Sequence, residues 1–130
     1  IKHATRALKR NEILGVFPEG NSTSSKLRPA KNGAAYLSAL TESRMLPIGV
    51  FGLENVWQQL FRGVKPKVTI NIGRSFGPFL LPKNRKKKEG CLLEMGNEAM
   101  YRIAALLPKE QQGVFTSSSK VTQFYDGVDF

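Results

Sequence analysis

Between residues 18 and 31 the chain gathers groups suited to a phosphorylated ligand. They are Glu19-Gly20, the hydroxyls of Ser22, Thr23, Ser24 and Ser25, and the cations Lys26, Arg28 and Lys31. A glycine permits positive φ and a close approach of backbone to ligand. Loop amides and hydroxyls together can cradle phosphate oxygens. Lys31 falls close to the start of the next expected helix, an end of a helix that favours anions. A carboxylate in this setting has two uses: Glu19 would accept from a substrate hydroxyl, or pin an Arg or Lys and keep it ionised and oriented. Groups for base or nucleophile chemistry are scarce. His3 is the single histidine, the residue five further on is Leu8, and its basic helix marks it as an ordinary surface residue. The single Cys91 excludes an intrachain disulfide and a multi-cysteine zinc site, and no metal or cofactor is expected.

These residues need elements to hold them. Ile1, Ala4 and Leu8 share one face of an expected helix that stops near Asn11, with Lys2, Arg6, Lys9 and Arg10 on the other. Residues 13–17, Ile-Leu-Gly-Val-Phe, form a short apolar run that reads as a buried strand. Pro18 to Pro29 is a loop rich in Gly, Ser and Asn. A helix is expected from about Lys31 to Arg44, burying Ala34, Leu37, Leu40 and Thr41. Met45 to Phe51 reads as a second apolar strand ended by Gly52. Residues 67–73 alternate as a strand with one buried face should. Between them, residues 54–62 are a loop or short helix carrying Trp57, Leu60 and Phe61.

Pro78 to Gly90 reads as a linker holding the basic run Lys83 to Lys88. After it, Leu92, Ala99, Met100, Ile103, Leu106 and Leu107 mark a helix stopped by Pro108. Residues 113–130 are a Ser/Thr-rich tail, or a strap over a body formed by residues 1–112. This order predicts an α/β fold with a mostly parallel or mixed sheet flanked by helices. In such sheets ligands bind where strands end, the position of Glu19 and its neighbours.

Twenty Lys plus Arg against ten Asp plus Glu leave a net charge of +10, which favours an anionic partner. Nucleic acid, an anionic membrane surface and a phosphorylated substrate all qualify on charge alone. A nucleic-acid module would interleave aromatics with basic residues or carry a recognition helix rich in Arg and Asn. Neither pattern is present, so nucleic acid is the weaker alternative. No apolar run approaches the roughly 18–20 residues of a spanning helix, and the first residues do not resemble a secretory signal. They read as mid-helix and lack an initiating Met, which suggests a fragment. Lys83 to Lys88 is either a solvated loop or a contact for an anionic bilayer. Trp57, Leu60 and Phe61 with Arg62 either pack on the sheet or sit at such an interface.

The order of blocks carries a family resemblance. Ile13-Leu14-Gly15-Val16-Phe17-Pro18-Glu19-Gly20, then Leu27, then Lys31-Asn32-Gly33-Ala34, then Leu46-Pro47-Ile48-Gly49-Val50 resembles the glycerol-phosphate and lysophospholipid acyltransferase family. Members there carry Phe-Pro-Glu-Gly, then Lys-x-Gly, then a strand of the type Val-Pro-Val. The strand Val68 to Ile72 with Gly73-Arg74-Ser75-Phe76, and the ending Ile103 to Pro108 with Gly113-Val114, are also similar. The resemblance covers most of residues 1–114.

It implies an enzyme of phospholipid synthesis, akin to 1-acyl-glycerol-3-phosphate acyltransferases. Such an enzyme moves a fatty acyl group from an acyl-CoA or acyl-carrier-protein thioester to a lysophosphatidate-like acceptor. It also implies peripheral or anchored attachment at the cytoplasmic face of a membrane. The family's base is a His in His-x-x-x-x-Asp, upstream of Phe-Pro-Glu-Gly and so outside this chain. Residues 1–112 would then be the C-terminal part of the domain, supplying acceptor binding and inactive alone. An acyltransferase-like scaffold without activity is the other outcome. Residue by residue, Glu19 and Gly20 match the glycerol-phosphate block, Lys31 and Gly33 the Lys-x-Gly, and Pro47 the later strand block. The family commonly continues Glu-Gly-Thr-Arg-Ser, whereas Ser22 stands here in place of the Arg. Arg28 or Lys26 would replace the missing charge, and acceptor identity stays open.

Overall fold

Asn84 sets the start of the longest element. The computed structural model describes residues 1–20 and 25–124. In it the Asn84 Oδ1 accepts the Lys86 backbone N–H at 3.0 Å and opens a helix over Arg85–Ala104. Asparagine is among the best N-caps, and Lys, Arg and Glu propagate helix well. Arg85, Lys86, Lys87 and Lys88 of the basic run therefore lie in the first helical turn, and the linker expected for residues 78–90 ends at Asn84. Leu92, Gly96, Ala99, Met100 and Ala104 recur at helical spacing and are buried. Ala105, Leu106 and Leu107 stay buried beyond the helix, up to Pro108.

Five helices and two strands follow one another along the described chain: α1 (Lys2–Lys9), α2 (Gly33–Thr41), β1 (Ile48–Phe51), α3 (Val56–Phe61), β2 (Thr69–Ile72), α4 (Arg85–Ala104) and α5 (Ser119–Thr122). Short 3-10 turns at Lys109–Gln111 and Gly113–Phe115 link α4 to α5. Residues 113–124 strap back over α4. Phe115 and Val121 join Met100, Ala104 and Ala105 in one buried cluster, and the Tyr101 and Phe115 rings meet edge-on at 5.4 Å. Gln112 holds the bend. Its buried Nε2 donates to the carbonyls of Ala104 at 3.0 Å and Leu107 at 3.1 Å, where the helix runs out of i+4 amides; Ala104 also accepts the Leu107 N–H at 3.0 Å. Arg102 is fixed by Glu98 at 2.8 Å and stacks between the rings of Phe76 (4.4 Å) and Phe124 (4.2 Å).

Helices and strands do combine in one α/β arrangement, but the sheet differs from the expectation of a mostly parallel or mixed one. β1 and β2 pair antiparallel, with Ile48 opposite Ile72 and Val50 opposite Ile70. A bridge between Met45 and Phe76 extends the pair. Residues 13–17 form no strand; Ile13 and Phe17 are exposed and only Leu14 is half-buried. Such a run becomes a strand only beside another strand that takes up its amides and carbonyls.

The sheet's faces are also reversed from simple patterning. Ile70 and Ile72 point outward, 60% and 64% exposed, while Thr69 and Asn71 turn inward. The Asn71 amide donates to the Leu106 carbonyl at 3.0 Å, so the inner face receives the end of α4 through a polar contact. Gly49 allows this approach, because a Cβ there would lie 2.8 Å from that of Leu106. In α2 the buried residues are Ala35 and Ser38, whereas Leu40 is exposed. The buried face is thus rotated from the Ala34, Leu37, Leu40 and Thr41 expected. The Ser38 hydroxyl donates to the Ser43 carbonyl at 2.7 Å. No helix among the described residues is long and apolar enough to cross a membrane.

Candidate functional site

The loop that follows residues 13–17 closes on itself through backbone bonds. The Gly20 N–H reaches the Phe17 carbonyl at 3.0 Å, forming a tight turn in which Gly20 takes φ +76°. At the far end the Lys31 N–H donates to the Pro18 carbonyl at 2.8 Å. Glu19 supplies the middle bond: its Oε2 accepts the Arg28 N–H at 2.7 Å. The carboxylate thus pins the Arg28 backbone, and not the Arg28 guanidinium. A carboxylate has about four acceptor positions, so one amide leaves others for a hydroxyl or a cation.

Lys31 then lies directly over Gly20. A Cβ at position 20 would meet its Nζ at 2.8 Å and its Cε at 2.9 Å. Glycine is needed at this position for its positive φ, whereas the exposed lysine end could swing aside from a Cβ. The loop therefore brings together Glu19, Gly20, Arg28 and Lys31, which lie up to twelve residues apart in sequence. Gly33 opens α2 two residues later, exposed and facing open space. Ser22 lies outside the described residues.

Beside the loop is an open cleft of about 550 Å³, lined by Lys26, Arg28, Lys109, Glu110, Val114 and Thr116 among others. It forms because the Leu27 N–H donates to the Gln111 carbonyl at 2.9 Å, docking the loop on the turn after α4. Three cations against one carboxylate make its lining attractive to an anion. Lys109 has no signal in the sequence, being a lone cation some eighty residues from Arg28 that only the docking of Leu27 on Gln111 brings near. Among the described residues no cluster suited to a metal ion is present.

Pro47 occupies a different place. It is buried at the start of β1 and lines a second cleft of about 460 Å³ with Gly73, Arg74, Arg102 and Phe124. None of the described residues from 18 to 31 lines that cleft. His3 is exposed on α1. In comparisons with known proteins, the chain matches no family model, no curated protein and no solved structure.

Proposed function

We propose that this chain forms the acceptor-binding half of an acyltransferase site for glycerol-phosphate or lysophosphatidate-like acceptors. The observation that carries this is the closed loop, in which Glu19 and Gly20 meet Arg28 and Lys31 beside a basic cleft. Lys31, Arg28 and the cleft cations would hold the acceptor phosphate, and Glu19 would take a glycerol hydroxyl on a remaining lone pair. A His-x-x-x-x-Asp pair on a segment outside this chain would remove the proton of the attacking hydroxyl. That oxygen then attacks the thioester carbon of an acyl-CoA or acyl-carrier-protein donor, and the thiolate leaves. On this reading β1 and β2 form one antiparallel corner of a larger mixed sheet, and the work of the protein is phospholipid synthesis.

Calorimetric titration of the chain tests the binding half directly. Glycerol 3-phosphate and lysophosphatidate should bind, monoacylglycerol should not, and Lys31→Ala should weaken phosphate binding at least tenfold. Equal binding of the phosphate-free acceptor would sink the assignment. So would salt-sensitive binding to random duplex DNA that phosphorylated acceptors fail to displace. In the protein that carries the dyad, Glu19→Gln should lower turnover while leaving the fold intact.

A further inference from the structure

The longest acid-free stretch of the chain also carries a cluster of exposed apolar side chains. From residue 55 to residue 88 there are nine Lys or Arg and no Asp or Glu, nearly the whole net charge of +10. Within it, α3 stands off the body with no buried residue. Trp57 is 73% exposed, Phe61 89% and Leu60 50%. Leu53 and Val64 extend the patch on either side, and Arg62, Lys65 and Lys67 follow within six residues of Phe61, all exposed.

An exposed cluster of this kind, on a connection between two strands, is unexplained by packing. Residues 57, 60 and 61 share one face of a helix. Tryptophan and phenylalanine on an apolar face beside lysine and arginine are the composition of an interfacial element. The connection is held at its base, where Glu54 accepts a hydrogen bond from the Gln111 side chain and the Val56 N–H reaches the Leu53 carbonyl at 3.3 Å. A tethered turn can therefore present its apolar tip without unfolding.

We propose that α3 is a wedge that enters an anionic lipid bilayer, with Trp57, Leu60 and Phe61 among the acyl chains and Arg62, Lys65 and Lys67 on the headgroups. Charge complementarity selects this occupant. A second copy of the chain would bring the same acid-free surface against itself and repel. The wedge does not depend on acyl transfer, and its test involves no acceptor.

Trp57 is the only tryptophan, so fluorescence reports this position alone. The chain is titrated with phosphatidylcholine vesicles containing about a third phosphatidylserine, with and without brominated acyl chains. A blue shift and quenching by the bromines are expected in anionic vesicles and far less in neutral ones. Replacing Arg62, Lys65 and Lys67 by Gln should lower partitioning roughly a hundredfold, at about fivefold per cation. Phe61→Ser should reduce quenching with the melting temperature unchanged, and serves also if the triple variant does not fold. Co-flotation with Trp57 unshifted and unquenched would overturn insertion. A concentration-dependent blue shift without vesicles would assign the patch to self-association and overturn it as well. Equal partitioning into neutral vesicles would overturn the role of the cations.

Discussion

The end of α4 with its strap and the β1–α3–β2 region use similar apolar content in opposite ways. Around α4, Met100, Ala104, Ala105, Phe115 and Val121 are almost wholly removed from water. Across the sheet, Ile48, Val50, Ile70 and Ile72 stand in register on one face and remain substantially exposed. The difference shows where the described chain draws its stability. A 20-residue helix brings its own backbone partners, needs only one face covered, and the strap covers it. A two-stranded ribbon has two faces and free edges, and here α4 covers part of one face.

Substitutions can test this contrast. Met100→Ala removes the largest fully buried side chain and should cost about 2–5 kcal/mol in urea unfolding. A smaller loss would mean that the strap collapses into the space. Gln112→Leu removes the amide from the Leu107 carbonyl, while Ala104 keeps the Leu107 N–H, and should cost about 1–3 kcal/mol. Proteolysis should then open the chain first between residues 108 and 124. Lys86→Glu acts in the opposite direction. The first turn of α4 carries Arg85, Lys86, Lys87 and Lys88 and no acid, against the polarity of the helix dipole. An acidic residue there should add about 0.3–1 kcal/mol at low ionic strength, and high salt should erase the gain. On the sheet, Ile70→Thr should shift stability by less than about 0.5 kcal/mol, since the side chain is already mostly in water. A large loss at Ile70 would break the contrast, because it would show that this face is covered in solution.

Much of the framework was legible because it is local. The helix ending before Pro108, the two strands around Val50 and Ile70 and the turn at Gly20 each follow from a short window of sequence. Asn84 is an instructive failure. The lysines after it suggested a linker, although Asn followed by good helix formers is itself a start signal. The alternation at residues 67–73 identified a strand, but which face is buried depended on α4. The Leu106 carbonyl, left without a helical partner, is met by Asn71, and that contact turns Ile70 and Ile72 outward.

The candidate site divides in the same way. Residue types alone singled out Glu19, Gly20, Arg28 and Lys31 as a group suited to an anion. They did not reveal that Glu19 grips the Arg28 amide, that Lys31 crosses Gly20, or that Lys109 joins Arg28 across a cleft. Nor did they show that Pro47 belongs to a separate cleft with Arg102 and Phe124.

What the sequence by itself determined is therefore what short-range chemistry controls: helix stops, turn glycines and the placing of charge. What only the tertiary structure decided is every pairing across distance: the antiparallel register, the outward isoleucines, the unpaired run at residues 13–17 and the cations of the cleft. Dihedral preference and side-chain spacing act within a few residues. Strand pairing and burial depend on surfaces that other parts of the chain must bring, and no local window contains them.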